Sequence, residues 1–350
     1  MNSSDIAFLP ISPEDEFLHP VHESGHHTAI ETNYYGFHLP EQAIDGHVYV
    51  WFHTALKVMG IFIFVYRGHK GQQLEAEYFN HHDFLPMVES NADYSVEMGS
   101  AAVRIKVEKP LEAIRITITD PGADFHLDLL SRAAAPPVGR PGGRHLTQLM
   151  RNEGELRLRG EDFPITGHFV RDRSWSQLRG EAPQAGPPAC WMTGIFGDDL
   201  AFHASILDTG IFDAPEYGPE WTETLPIDNV LRSLKWESGG DTANINLRGG
   251  WWFDGQGTRK IVEAAKTTQL AEDGLTTRGC NLELVDDTGE RHVLAGRSLG
   301  GIQKMYGQNM VVYLNQVEWT LGERKGVGSM QTVYFNDHLY KHQARRKETA

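Results

Sequence analysis

A short run near the middle of the chain combines two arginines, an aspartate and two aromatic residues at a period of two. It extends from His168 to Trp175, and alternate residues of a β-strand point to opposite faces. Arginines between aromatic rings form a stacked cationic face that can hold a carboxylate, phosphate or enolate. One face carries Phe169, Arg171, Arg173 and Trp175, and the other carries His168, Val170, Asp172 and Ser174.

This run supplies the candidate catalytic groups. Asp172 is the leading proton donor or ion-pair anchor, because a buried acid stays protonated near neutral pH. A structural role is equally compatible with the pattern, since a charged network can simply pin one part of the fold to another. The predicted catalytic residues are Asp172, Arg171, Arg173 and His168, with Trp175 as a predicted substrate contact.

A second run, His47 to His53, offers aromatic groups with polar tips. Its alternating faces are His47, Tyr49, Trp51 and His53 against Val48, Val50 and Phe52. If the first face lines a barrel interior, it can orient a largely apolar ligand. If the second face does, the interior is hydrophobic filling and the polar set faces the other domain or solvent. Further substrate-binding candidates on other predicted strands are Tyr35, Glu31, His203 and Tyr313.

Two further motifs match hydrolase patterns but lack the surrounding structure that this chemistry needs. His22 to His26 satisfies H-E-x-x-H, but Gly25 lies inside the motif and no apolar helix face surrounds it, so we predict no metal site. Gly296 to Gly300 matches G-x-S-x-G around Ser298. That chemistry needs an acid and a histidine downstream on a sheet flanked by helices, so we interpret this run as a glycine-rich turn.

The composition limits the class of protein. The 350 residues are 40% apolar and 23% charged, which is sufficient for a large core. A net charge of −15 disfavours nucleic acid and anionic membrane surfaces as partners. Two cysteines cannot form a disulfide framework. The longest apolar run is too short to span a bilayer and no secretory leader is visible, so we expect a cytoplasmic protein.

Alternating polarity dominates the rest of the chain and predicts antiparallel strands. Sustained helical periodicity is nearly absent, so an all-β fold with few short helices is expected. Predicted strands include 34–37, 47–53, 61–67, 103–108, 114–119, 156–159, 168–175, 200–207, 245–248, 282–285, 310–321 and 330–335. Short helices are predicted near residues 13–18, at 145–151 and after residue 336.

Two proline- and glycine-rich stretches, 133–144 and 180–189, resemble connections. The second nearly halves the chain, and each half has the size of one antiparallel barrel. We therefore predict an N-terminal β-barrel domain over residues 1–180 and a C-terminal β-barrel domain over residues 181–350.

Arg171 to Trp175 resembles the R-D-R/H-S-W-G signature of tandem lipocalin-like bacterial proteins related to carotenoid hydratases (hydroxyneurosporene synthases). Tocopherol cyclases and fungal lipocalin-like Diels-Alderases are more distant relatives of that group. Glu31 to Phe37 is similar to the group's first-strand phrase, and Gly322 to Gly328 to a late turn, while Ser176 stands where the family has glycine. The resemblance implies two lipocalin-like barrels packed together.

Three classes of function remain open from the sequence. The first is a cofactor-free lyase or isomerase (a hydratase, dehydratase or cyclase) acting on an apolar, isoprenoid-like small molecule; no dinucleotide or phosphate-loop motif is visible. The second is a non-catalytic carrier of a hydrophobic ligand. The third is a hydrolase using Ser298, or a zinc protease using His22 and His26. The substrate and the oligomeric state are not specified by the sequence.

Overall fold

A computed structural model describes most of the chain. It covers residues 8–21, 29–140, 144–178, 189–207, 247–273, 276–305 and 310–336, and the single residues 25, 27 and 339. Within these residues the regular structure is strand, with short 3-10 helices such as Pro13–Glu16. The fold is all-β, as the alternating polarity predicted.

The first half forms one strongly curved antiparallel sheet. Ten of its strands lie in the order β4-β3-β2-β1-β11-β10-β8-β7-β6-β5, a nearly closed barrel, and the short β9 pairs with β10. The strands are β1 (Ala29–Leu39), β2 (Ile44–His53), β3 (Val58–Arg67), β4 (Tyr78–Pro86), β5 (Asp93–Met98), β6 (Ala101–Lys109), β7 (Ala113–Asp120), β8 (Phe125–Ala133), β9 (Val138–Gly139), β10 (His145–Leu158) and β11 (Glu161–Leu178).

The second half forms a closed eight-stranded antiparallel barrel in sequence order. Its strands are β12 (Ala189–Ile195), β13 (Ala201–Leu207), β14 (Leu247–Phe253), β15 (Thr258–Leu270), β16 (Thr277–Asp286), β17 (Arg291–Met305), β18 (Met310–Leu321) and β19 (Arg324–Phe335). Residues 179–188, where the predicted domain boundary falls, lie outside the described part, so that boundary stays a prediction.

Each barrel encloses its own apolar core. Val48, Val50 and Phe52 belong to the first core, together with side chains of the other long strands. Phe202, Trp252 and Trp319 belong to the second. The period of two therefore sends one face of each strand inward, which is the usual basis of a barrel interior.

The two barrels also pack against each other through their outer faces. One junction cluster joins Tyr34, Tyr49 and Phe62 of the first barrel to Ile302 and Leu314 of the second. A separate cluster joins Val170 and Leu149 to Trp251 and Ile195. Main-chain hydrogen bonds also cross the junction, from Lys70 N to Gly301 O and from Gly301 N to Gly68 O.

Several local predictions are wrong. The short helix predicted at residues 145–151 is the first half of strand β10. The glycine-rich run around Ser298 is not a turn but lies within β17, at a bulge between Ser298 and Gly300. Strands β4, β5, β8, β12 and β15 were not predicted. Outside the described residues lie the H-E-x-x-H motif apart from Gly25, residues 245–246 of a predicted strand and nearly all of the predicted tail helix.

No helix within the described residues is both long enough and apolar enough to span a bilayer.

Candidate functional site

A cleft with a volume of about 450 Å³ lies where the two barrels meet. That volume falls within the range of small-molecule sites. Its first-barrel wall consists of His38, Pro40, Thr166, Gly167 and His168. Its second-barrel wall consists of Ile195, Phe196, Gly197, Glu318, Lys325, Gly326 and Val327.

A β-hairpin brings the first histidine of this cleft to an aspartate. The turn Pro40–Gln42 ends at Ala43 in the left-handed conformation, and the register of β1 with β2 then places His38 opposite Asp45. His38 Nδ1 lies 2.6 Å from Asp45 Oδ1. His38 Nε2 is buried and has no hydrogen-bond partner among the described residues. The aspartate therefore fixes the ring with Nδ1 as donor and leaves Nε2 for other chemistry.

Asp45 is a fully buried carboxylate held by several donors. Tyr66 Oη donates to Asp45 Oδ2 at 2.8 Å, and His47 Nε2 lies 3.0 Å from the same oxygen in a bent contact. Burial alone would raise the pKa of Asp45, but His47 and His38 overcome that effect and hold the pKa far below its usual range. Asp45 is therefore ionised behind the cleft at neutral pH.

The network continues from His47 to the second barrel. His47 Nδ1 lies 2.5 Å from Tyr34 Oη, and Gln331 Nε2 of β19 donates to that oxygen at 2.7 Å. Burial raises the pKa of Tyr34 well above its usual value, and Asp45 and Asp172 raise it further. Tyr34 therefore remains a protonated phenol and is available as a donor.

The second histidine of the cleft, His168, is also tied to an aspartate. Its Nε2 lies 2.6 Å from Asp198 Oδ1, and Arg151 Nε donates to the same carboxylate at 3.1 Å. Hydrogen bonds from Arg151 and His168 hold the pKa of Asp198 below its usual value. The cleft thus contains two histidines, each with its own carboxylate.

The two arginines of the 168–175 run are committed to protein partners. Arg171 forms a two-pronged ion pair with Glu16, at 2.6 and 2.7 Å, and also donates to Gln148. Arg173 donates to Glu31 at 2.8 Å and to the Asp15 carbonyl at 2.7 Å. These donors close one end of the first barrel rather than facing the cleft. Their predicted catalytic role stays untested, and the geometry favours the structural alternative.

Asp172 lies on the opposite face of β11, which is turned toward the second barrel, and it is half-buried. It pairs in register with Tyr34 and Thr147. Trp175, at the end of the run, stacks on the His19 ring at a centroid distance of 5.0 Å. Ser176 adopts φ 50°, a left-handed conformation that glycine favours, at the position where the resembled family has glycine.

The polar-tipped face of β2 is turned outward, so the second of the two alternatives applies. Tyr49 and Trp51 pack with Phe62 on the junction side of the barrel. Lys304 of the second barrel places Nζ 3.9 Å from the Phe62 ring centre. His53 ends the strand and is half-buried.

The remaining predicted contacts are dispersed. Tyr35 belongs to the first core, and Glu31 on the same face is the partner of Arg173. His203 lies on the outer face of β13, between Trp191 and Trp251. Tyr313 is buried on β18. Of the predicted site residues, His168 lies in the cleft and His47 lies in the hydrogen-bond network behind it. Tyr35, Glu31, His203 and Tyr313 lie elsewhere.

Sequence reasoning missed His38, Asp45, Tyr34 and Tyr66. A signal for two of them was present: Asp45 lies two residues before His47 on the same strand face, and a Pro40–Ala43 turn sets His38 opposite Asp45. The candidate face of β1 was assigned through Tyr35, which points into the barrel, whereas Tyr34 points to the junction.

Two alternative sites find no support in the described residues. Ser298 is buried, and its hydroxyl donates to the Gly300 carbonyl and to Asn315 Oδ1 rather than to a histidine. A cluster of Asp286, Glu290 and His292 has metal-ligand types. Arg259 donates to both of its carboxylates, at 3.1 and 2.8 Å, and so already supplies a cation.

Residues 12–219 match the protein family described as a domain of unknown function, DUF7064, and the chain belongs to this family. The AttH-like protein of Nitrosomonas europaea is 15% identical, with a TM-score of 0.55 over 93% of this chain and 98% of that one. Kievitone hydratase of Nectria haematococca is 14% identical, with a TM-score of 0.52 over 95% of this chain and 94% of that one. These similarities establish a two-barrel lipocalin-like fold. No curated protein sequence matches the chain significantly.

Proposed function

We propose that the protein is a hydratase or dehydratase that acts on an apolar small molecule by acid/base chemistry at the barrel junction. The observation that carries the proposal is the His38–Asp45 pair in the wall of the cleft, with the second imidazole nitrogen of His38 unused by the described residues. Such a pair is the usual arrangement of a general base whose tautomer is fixed.

The mechanism is simplest in the direction of dehydration. His38 Nε2 takes a proton from a carbon next to the hydroxyl-bearing carbon, and His168 gives a proton to the departing hydroxyl. The C–H and C–O bonds break, the alkene forms, and water leaves. Hydration is the reverse, with His168 as base toward water and His38 as acid toward the alkene.

The surroundings of the two histidines fit an apolar substrate with one polar group. Ile195, Phe196 and Val327 supply apolar wall, and charged groups in the cleft are confined to Glu318 and Lys325. Because His38 Nε2 is covered in the structure, the proposal includes a side-chain movement at the cleft floor when substrate binds. Hydroxylated isoprenoids are the substrate class that the sequence resemblance suggests.

Structural similarity to a hydratase adds support for the class of reaction but not for a particular substrate. A structural neighbour carries the name of a hydratase, kievitone hydratase. At 14% identity that name supplies no substrate for this chain. The reaction class therefore stands on the paired histidines, with the neighbour as additional support.

The first prediction tests this proposal directly. The protein is incubated in oxygen-18-labelled water with a panel of isoprenoid alkenes and their alcohols, and labelled alcohol is measured by mass spectrometry. We expect incorporation by the wild type and a loss of about 10²- to 10⁴-fold in His38→Gln, the usual contribution of a general base. His126→Gln, a partly exposed histidine of the first barrel, is the control and keeps full activity.

Two outcomes would contradict the proposal. Equal incorporation by the wild type and His38→Gln would remove His38 from the mechanism. Binding of apolar ligands to the wild type without incorporation from any member of the panel would support the carrier alternative instead. Thermal melting of each variant distinguishes lost chemistry from lost folding.

A further inference from the structure

The proposed mechanism leaves part of the buried network unused. Asp45 contacts His38 on one side, and on the other side it contacts His47, which in turn meets Tyr34. All of these side chains are buried, with exposed fractions of 5% or less. A buried polar chain of this length requires an explanation, because each unsatisfied member is costly.

The direction of each hydrogen bond follows from the acceptors available. His47 Nε2 lies 3.0 Å from a carboxylate oxygen, where a lone pair would be repelled, so Nε2 carries the proton. In the neutral ring His47 Nδ1 is then an acceptor, and Tyr34 Oη donates to it. Tyr34 Oη in turn accepts from Gln331 Nε2. The hydrogen bonds from Gln331 and from Tyr34 therefore both point toward His47, whose Nε2 proton faces Asp45 in a bent contact.

We propose that Tyr34 and His47 are positioning residues that, through Asp45, hold His38 in its acid/base tautomer, and that Gln331 of the second barrel completes the unit. This inference deepens the proposed function and rests on it for its catalytic meaning. One part of the inference does not depend on the proposed function: the two histidines on either side of Asp45 are opposite tautomers. His38 is protonated on Nδ1, and His47 is protonated on Nε2.

The unit also links the two barrels. Tyr34 lies on β1 of the first barrel, Gln331 lies on β19 of the second, and Trp191 of β12 meets the Tyr34 ring edge-on at 5.9 Å. Docking of the barrels therefore supplies Gln331, the last donor of this hydrogen-bond network. The acid/base site is complete only in the assembled molecule.

The decisive measurement is nitrogen-15 NMR of histidine-labelled full-length protein at neutral pH. We expect one buried histidine with its proton on Nδ1 and another with its proton on Nε2, assigned to His38 and His47 by their loss in His38→Gln and His47→Gln. In Tyr34→Phe the His47 Nδ1 signal loses its hydrogen-bond shift and the His38 Nε2 signal moves. The same variant lowers kcat by about tenfold with little change in KM, as expected for one lost hydrogen bond.

Tyr94→Phe is the matched control. Tyr94 is a tyrosine of the first barrel at 7% exposure whose hydroxyl has no hydrogen-bond partner among the described residues. We expect Tyr94→Phe to leave the histidine NMR signals and kcat unchanged. The inference is overturned if His47 proves to be protonated on Nδ1, or if Tyr34→Phe leaves the His38 signal unmoved. Opposite tautomers in a protein that hydrates no member of the panel would retain the hydrogen-bonded unit and reject the proposed function.

Discussion

His203 illustrates how a single buried ring creates a dependence of stability on pH. Burial lowers the pKa of His203 to about 3, and Arg140 lowers it further, against a hydrogen bond with the Met192 carbonyl that raises it. In the unfolded chain a histidine has a pKa of about 6.5. Between these two values the unfolded chain binds a proton that the folded chain does not, so acidification favours unfolding.

We therefore expect His203→Asn to flatten the pH dependence of stability. Asparagine keeps a side-chain donor near the Met192 carbonyl but does not titrate. Between pH 6 and pH 4 the wild type loses up to about 1.4 kcal/mol per pH unit through this residue, which is the effect of one proton. Urea unfolding at a series of pH values measures the slope. Parallel slopes for wild type and variant would show that His203 is not the titrating group.

Residue types alone identified part of the candidate site. His47 was predicted for the polar-tipped face of its strand, and His168 for its place in the run that holds Arg171, Asp172 and Arg173. Tyr34 was passed over for Tyr35, since two consecutive residues of one strand face opposite sides and the sequence does not say which side is the interior. Only packing resolves this: Val48 and Phe52 fill the core and leave the other face of β2 for the junction.

At the scale of the element, the N-terminal segment closes one end of the first barrel. The 3-10 helix Pro13–Glu16 places Glu16 against Arg171, and both are at most 1% exposed. Burial alone would raise the pKa of Glu16, but the Arg171 guanidinium holds it below its usual value. The Leu111 amide also donates to Glu16 at 3.0 Å. A short polar segment thereby becomes part of the barrel.

This arrangement predicts a strongly non-additive pair of substitutions. Arg171→Met leaves the Glu16 carboxylate buried without its cation, and we expect a loss of about 3–5 kcal/mol of unfolding free energy. The double variant Glu16→Leu with Arg171→Met removes both charges and should recover much of that loss. Urea unfolding of the cycle at neutral pH is the measurement. If Arg171→Met kept full stability and lost only activity, the predicted catalytic role of Arg171 would be favoured over the structural one.

Strands β6 and β7, with one face covered and the other exposed, were predicted from their alternation, but the first half of β10 was not. A short helix was predicted at residues 145–151, where strand β10 begins. In the structure residues 145–150 are all buried, with Leu149 in the junction cluster that also holds Trp251 and with Gln148 hydrogen-bonded to Arg171, so alternation disappears. Strands β4 and β5 are the two ends of the first sheet, and polar residues on both faces conceal them.

At the scale of the whole molecule, the junction between the barrels is a built surface rather than an incidental contact. It holds the cleft, the Asp45 network and the Lys304–Phe62 contact. The duplication of barrels was visible in chain length and turn-rich connections. How the barrels dock was not, because the residues that meet are separated by hundreds of positions, as with Gln316 Nε2 and the Ile44 carbonyl.

Gly300 tests this docking without touching the proposed chemistry. A Cβ at Gly300 would lie 2.8 Å from the Gly68 carbonyl oxygen and 3.0 Å from two further backbone atoms of the same residue, so the two barrels would have to separate locally. We expect Gly300→Ala to cost about 1–3 kcal/mol of unfolding free energy, the usual penalty for overpacking. Gly257→Ala, which meets nothing within 4 Å, is the control. Because the last donor of the Asp45 network comes from the second barrel, Gly300→Ala should also shift the His47 NMR signals. An unshifted spectrum in a destabilised variant would show that the network does not depend on how the barrels dock.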